Sequence, residues 1–296
     1  DRIHKWDTAE LTALYVVDRE AANALADDMA RGTELPLDVM GDLIHDAANE
    51  RLKRFVEKTL DDPSSVRLES AIGYPHEEIL RAVSNFKVDM LVLGNSGHGR
   101  GKSRIGTIAQ RAVRRAPCHV LIVRGDQEGP FRQVVACIDF SENSKRAARH
   151  AIHVAQQDDA YLEFLHVVPP VDSLSETLEF ADPLVPKISF EVQRAFDQEI
   201  AEALDGFVKP IIKRMGGIEQ YRVRVERAHP VRNGILSYIE DDEPDLVVIG
   251  ATGKTGLRAM LLGTTAEAII NHSLCSVLTV RPDGFDYTTE VDVSAS

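Results

Sequence analysis

The sequence predicts an α/β protein: two tandem, doubly wound domains, each built on a mostly parallel five-stranded sheet. Three observations carry this. The 296-residue chain repeats itself. Within each copy, short apolar runs alternate with stretches of helical period. Two of the apolar runs stop abruptly in glycine-rich loops, as strands do at the ligand-binding edge of such sheets.

The repeat governs everything after it. Val88-Asp-Met-Leu-Val-Leu-Gly94 answers Pro244-Asp-Leu-Val-Val-Ile-Gly250, an offset of 156 from Gly94 to Gly250. Ile105-Gly-Thr-Ile-Ala109 answers Leu262-Gly-Thr-Thr-Ala266 at an offset of 157, and Cys118 to Arg124 answers Cys275 to Arg281 at the same offset. Leu14-Tyr-Val-Val17 pairs with Leu165-His-Val-Val168. Four blocks in one order at nearly constant spacing define two copies joined near Gly125–Pro130. The boundaries follow as 1–126 for the first domain, 127–285 for the second and 286–296 for a tail.

In the second copy, Gln133–Ile138 reads as a strand and Asn143–Gln156 as a helix. Leu162–Val168 is the next strand. A long amphipathic helix follows, with Val192, Phe196, Ile200, Ala203 and Phe207 at helical spacing. Tyr221–Val225 alternates like a strand, Gly234–Asp241 reads as a short helix, and Asp245–Ile249 as a buried strand. Thr264–His272 is helical, and Val277–Val280 closes the unit. The first copy has too few residues ahead of Leu14 to match the strand at Val134–Ile138 and most of its helix. Those residues are expected upstream, since the chain also opens without Met.

Composition narrows the function. Lys and Arg number 34 against 47 Asp and Glu, a net charge of −13. An acidic balance argues against nucleic-acid binding and against anionic membranes. No apolar run approaches the ~20 residues that span a bilayer. Three cysteines are too few for a disulfide scaffold. A cytoplasmic protein is the expectation.

The informative residues are the glycine loops. Gly250 and Gly253 follow a buried strand and let the backbone turn close to a ligand. Gly263-Thr264 then opens a helix, with Thr264 and Glu267 spaced as a capping box. A helix start with free N–H groups attracts anions. Familiar phosphate motifs fail: a P-loop ending at Gly253-Lys-Thr255 needs glycine at Val248, and one ending at Gly101-Lys-Ser103 needs it at Ser96. Gly97-His-Gly99-Arg-Gly101 has the wrong spacing for a dinucleotide fingerprint.

The pattern that fits is Gly-x2-Gly-x9-Gly-[Ser/Thr], met by Gly250, Gly253, Gly263 and Thr264. It resembles the ATP-binding signature of the universal stress protein family, and the resemblance spans nearly the whole chain as a tandem pair. Ala136-Cys-Ile-Asp-Phe-Ser141, Leu165-His-Val167 and Ile72-Gly-Tyr-Pro-His-Glu-Glu-Ile79 resemble other family stretches. The resemblance implies an adenine nucleotide alpha hydrolase-like fold and a bound ATP or AMP. Cys137, Ile138 and Asp139 would edge adenine and ribose, with Val167 against the adenine. Ile249, Gly250, Thr252, Gly253, Gly263, Thr264 and Thr265 would line ribose and phosphates, and Asp139 could hold Mg. Thr252 departs from the His of well-known ATP binders, and its hydroxyl can still donate. In the first copy Val16, Gly94, Gly97, Gly106 and Thr107 make a weaker site, with eight residues instead of nine between Gly97 and Gly106. The resemblance also implies that the last strands, Val120–Val123 and Val277–Val280, meet across a pseudo-twofold axis, giving an intramolecular pseudo-dimer; further pairing into a homodimer is open.

Other residues read more plainly. Cys118 and Cys275 occupy equivalent places and read as buried apolar residues rather than a redox pair. His166 reads as a packed strand residue and His98 as a solvated loop residue. Lys254 and Arg258 either neutralise phosphate or are solvated. Asp241, Asp242 and Glu243 read as a helix exit facing water, and 169–190 as an insertion. No nucleophile elbow, HExxH or paired-cysteine zinc spacing is present. The leading function is a nucleotide-dependent stress-response regulator; a slow ATPase and a nucleotide-free scaffold are the alternatives.

Overall fold

The computed structural model describes residues 9–30, 37–95, 105–124, 129–170, 190–253 and 262–282. The joint at 125–128, most of the insertion (171–189), the tail 286–296, Gly97, His98, Lys254 and Arg258 lie outside them. The chain divides into two compact units, Asp1–Val88 and Asp89–Ser296.

The first unit holds β1 (Leu11–Asp18), α1 (Arg19–Ala30), α2 (Leu37–Thr59), β2 (Val66–Gly73) and α3 (Pro75–Asn85). β1 and β2 run parallel, from Leu11 opposite Val66 to Asp18 opposite Gly73. Leu52 and Val56 of α2 bury themselves with Val66, against Leu11, Ala13, Tyr15 and Leu68. The Asp18 carboxylate accepts the Glu20 N–H at 3.0 Å, starting α1. Pro75 sits in the first turn of α3, where its missing N–H costs no helix bond.

The second unit holds β3 (Met90–Gly94), α4 (Thr107–Arg115), β4 (His119–Val123), β5 (Gln133–Cys137), α5 (Glu142–Asp158), β6 (Tyr161–Val168), α6 (Phe190–Arg214), β7 (Tyr221–Arg227), α7 (Val231–Asp242), β8 (Leu246–Gly250), α8 (Thr264–His272) and β9 (Ser276–Val280). Its sheet has the order β3-β4-β9-β8-β5-β6-β7. Every pairing is parallel except β4 with β9, where Val120 faces Thr279 and Ile122 faces Val277. The second copy therefore supplies a complete five-stranded parallel sheet. The first copy supplies four described strands in two groups, β1–β2 in one unit and β3–β4 in the other. The reason is visible in the second copy, where β5 bonds β6 on one side and β8 on the other. No first-copy strand among the described residues takes that place.

Near-continuous apolar strands mark a sheet covered on both faces. Val134, Val135 and Ala136 of β5 and Val247 and Val248 of β8 are fully buried. Ala147, Ala148, Ala151 and Ile152 form the inner stripe of α5, and the three alanines let that helix approach the sheet closely. Ser141 caps α5, its hydroxyl oxygen accepting the Ser144 N–H at 3.1 Å. β7 alternates as expected: Arg222 pairs with Glu163, which is fully buried on β6, and Arg224 reaches Asp242 at 3.0 Å. Asp242 is thus an ion-pair partner rather than a carboxylate facing water, whereas Asp241 is exposed.

α7 lies against β6 through Gly234. A Cβ there would stand 2.7 Å from Ala228 Cβ and 2.7 Å from Val167 Cγ1. Gly234→Ala forces helix or strand to shift, and is expected to cost about 1–3 kcal/mol in denaturant unfolding.

Candidate functional site

The second-copy order β9-β8-β5-β6-β7 means that the chain leaves β5 toward β6 and β7, then returns to the opposite side as β8 and β9. Such a reversal opens a crevice beyond the carboxyl ends of the strands, here between β5 and β8. The site residues gather there.

From β5, Cys137 and Ile138 are buried, and Asp139 stands half-buried just past the strand. Asp139 Oδ1 accepts the Ser141 N–H at 3.0 Å. Phe140 between them takes the left-handed conformation, φ 64°, rare for a bulky residue. It packs edge-on against His166 and Phe207, with ring centroids 4.8 and 5.2 Å away. His166 Nδ1 donates to the Ile138 carbonyl at 2.6 Å, so this strand residue ties β6 to the bend that presents Asp139.

From β8, the loop after Ile249 crosses toward Asp139. A Cβ on Gly253 would lie 2.9 Å from Asp139 Oδ2, and one on Gly250 would lie 2.8 Å from Asn143 Nδ2. At Gly250 a Cβ would also meet Asn143 Cγ at 3.2 Å and the Thr252 carbonyl oxygen at 3.3 Å, so close approach favours glycine there, whereas at Gly253 it would meet only the end of the Asp139 carboxylate. The loop returns to α8 through a hydrogen bond from Gly263 N–H to the Ala251 carbonyl, 2.7 Å. Gly263 is the N-cap, with no side-chain cap bond, and Glu267 reaches Arg114 of α4. The expected capping box between Thr264 and Glu267 does not form, although the helix starts at Thr264 as expected. With no carboxylate folded back on it, the start of α8 faces the loop with Thr264 exposed and Thr265 half-buried.

Val167 joins from β6. Ile138 N–H donates to the Leu165 carbonyl at 2.8 Å, which fixes the side of β6 that faces β5. Strand alternation turns the Val167 N–H and C=O to the same side. There β5 has already ended, so this donor–acceptor pair borders the crevice.

Asn143, in the first turn of α5, is a residue the sequence analysis missed. It is buried, and its Nδ2 donates to the Thr252 carbonyl at 3.1 Å and to the Val280 carbonyl at 3.2 Å, with Thr252 Oγ1 at 3.3 Å. Because Thr252 Oγ1 accepts this bond, its own hydrogen is left to donate. One amide thus pins the glycine loop to the ends of α5 and β9.

The first copy repeats the loop backbone. Asn95 N–H donates to Val123 C=O at 2.9 Å and Gly106 N–H to Asn95 C=O at 2.8 Å, matching Ala251 to Val280 at 2.8 Å and Gly263 to Ala251. Gly106 caps α4 with φ −64° and ψ 150°, against −65° and 146° at Gly263. Gly94, Gly106 and Thr107 belong to the second unit and Val16 to the first. No described first-copy residue corresponds to Asp139 or Asn143.

Among the described residues no group of three His, Cys, Asp or Glu could hold a metal ion by itself. All three cysteines are free and buried. Burial pushes the thiols of Cys118 and Cys275 up to about 11 and that of Cys137 to about 12. Cys118 and Cys275 sit at opposite ends of the β4–β9 ladder, so they are no redox pair. None of the three should react with iodoacetamide at pH 8 in the native protein, while all should react in guanidinium. Asn143→Ala removes a donor from the Thr252 carbonyl and leaves the Val280 carbonyl with the Ala251 N–H alone. It is expected to cost about 1–3 kcal/mol, with faster amide exchange at 250–253.

The model of the universal stress protein family matches this chain twice, over residues 2–124 and 130–281. A universal stress protein of Methanocaldococcus jannaschii is 31% identical over 155 residues, covering 52% of this chain and 84% of that one. Universal stress protein E of Escherichia coli is 26% identical over 230 residues, covering 74% of this chain and 68% of its own. Among solved structures, a universal stress protein from Archaeoglobus fulgidus overlays 94% of this chain and 89% of its own with a TM-score of 0.60 at 21% identity, a likeness of fold. A functionally unknown protein from Pseudomonas aeruginosa overlays 96% of this chain and 86% of its own, with a TM-score of 0.59 at 19% identity. No helix among the described residues is long and apolar enough to cross a membrane. The chain belongs to the universal stress protein family and carries its domain twice.

Proposed function

We propose that the second domain, 127–285, binds one adenine nucleotide, ATP or AMP, and that the protein is a nucleotide-dependent regulator of the stress response. The observation that carries this reading is the convergence, at the β5–β8 switch point, of Asp139, the Gly250–Gly253 loop and the start of α8. Each part suits a different portion of the ligand. The backbone N–H and C=O of Val167 match the donor–acceptor edge of adenine, Asp139 suits a ribose hydroxyl, and the loop and the N-terminus of α8 suit phosphates. One carboxylate with waters and phosphate oxygens is also a usual Mg environment, and Asp139 would supply it. Binding would act by favouring the conformation with the higher affinity for nucleotide. No positioned base stands at the phosphate end among the described residues, so turnover is at most slow in this reading. Three buried thiols suit a reducing compartment, the cytoplasm.

The test is mass spectrometry of the nucleotide released from purified protein, with calorimetric titration of Mg-ATP. About one nucleotide per chain is expected. Asp139→Ala and Gly253→Val should each weaken binding at least about ten-fold, roughly 1.4 kcal/mol. Two nucleotides per chain would assign a working site to the first domain as well. No nucleotide, with no uptake of added Mg-ATP, would overturn the reading in favour of a scaffold.

A further inference from the structure

The seam between β4 and β9 joins the two copies, and its sequence is nearly two-fold symmetric. Cys118-His119 and Arg124 answer Cys275-Ser276 and Arg281, each 157 residues on. The hydrogen bonds keep that symmetry. At one end the Arg124 N–H donates to Ser276 Oγ at 3.2 Å; at the other the Arg281 N–H donates to His119 Nδ1 at 3.0 Å. A hydroxyl accepts at any ordinary pH. A ring nitrogen accepts a backbone N–H only while it carries no proton, so His119 is neutral here, with its hydrogen on Nε2.

The His119 ring lies edge-on to His150 of α5, with centroids 4.5 Å apart. The charged surroundings are mostly cationic. Arg146 of α5, Arg281 beyond β9 and Asp89 before β3 act on His119; Arg146, Arg149 and His153 of α5 act on His150. Both imidazoles are half-buried. A proton on either would be a cation in a poorly solvated setting, facing arginines and a second ring.

We propose that His119 and His150 form an acid-released latch on the seam between the two copies. Neutral, the pair accepts the Arg281 N–H and packs ring against ring. Protonated at Nδ1, His119 turns from acceptor to donor, the Arg281 N–H loses its partner, and the two rings repel. The Ser276 end has no proton to gain, so release starts at the His119 end. Burial and the neighbouring cations hold His150 down at about 4, below its ordinary 6.5, and lower His119 as well. The open seam therefore binds protons more readily than the closed one. The latch contributes fully above about pH 6.5 and weakens as pH falls toward about 4.

The chain supplies its own control, because His119→Ser installs the acceptor that the symmetric position already uses. Amide exchange, corrected for intrinsic rates, is read on peptides covering 119–124 and 276–281 against a reference at 133–137. Between about pH 7 and 4.5, seam protection in the unaltered protein should fall at least about ten-fold relative to the reference, the equivalent of one pKa unit. In His119→Ser the fall should be less than about a third of that, the remainder being what His150 contributes alone. An unaltered protein with no seam-specific loss overturns the proposal, and so does an equal loss in His119→Ser. If circular dichroism finds His119→Ser unfolded at pH 7, His150→Phe keeps the ring contact without the proton. It should then show less than half of the loss, and a full loss overturns the latch.

Discussion

The larger sheet depends on β5 having a neighbour on both sides. Its Val134, Val135 and Ala136 are fully buried, bonded to β6 at one edge and β8 at the other. Because the chain runs outward from β5 in one direction and returns in the other, the crevice can form only where β5 ends. The same strand then sets the chemistry at its exit. Asp139 follows within two residues of its last pair, Ser141 caps the helix that comes next, and Asn143 in that helix reaches back to the loop after β8. Strand, cap and site are one continuous piece of chain, so the stability of β5 and the geometry of the crevice are not separable properties.

The first copy is a comparison built into the molecule. Its glycine loop closes with the same two backbone bonds, although it is one residue shorter and no described strand of that copy takes the place of β5. Loop closure therefore depends on local partners: a strand, the neighbouring strand's end and the helix that follows. In the second copy Val248 of β8 is fully buried beside β5, opposite Ala136. A fully buried valine is worth about 1.5–3 kcal/mol relative to an exposed one. In the second copy the acid and the amide that meet the loop arrive with β5 and α5.

This separates what was legible in the sequence from what was not. Gly250, Gly253 and Gly263 could be found because they recur at fixed spacing after a buried strand, and strands and helices could be found because their periods are local. Asn143 gave no such signal, since a polar residue in a helix is usually solvated; its partners lie 109 and 137 residues away. The spacing of Thr264 and Glu267 suited a capping box, yet Glu267 is held by Arg114 from the other copy, and Gly263, whose carbonyl accepts the Glu267 N–H, takes the cap position instead. Asp242 seemed a solvated carboxylate until β7 brought Arg224 beside it. Each miss is a side chain whose role is decided by a segment distant in sequence, where tertiary contacts outweigh local preference.

Covalent duplication explains why the seam can differ at its two ends. In a homodimer a two-fold interface places the same residue at both equivalent positions, so any change is made twice. Here β4 and β9 belong to one chain. Its linker keeps them at high effective concentration, and the two ends are free to diverge. Backbone geometry has stayed symmetric, as the matching Arg124 and Arg281 bonds show. The acceptors have not: one is a hydroxyl and one an imidazole. The loops follow the same course, with buried Asn95 where the second copy has Ala251. A seam of identical subunits would have to accept a titrating group twice or not at all, whereas a tandem chain can place it at one end and leave the other fixed.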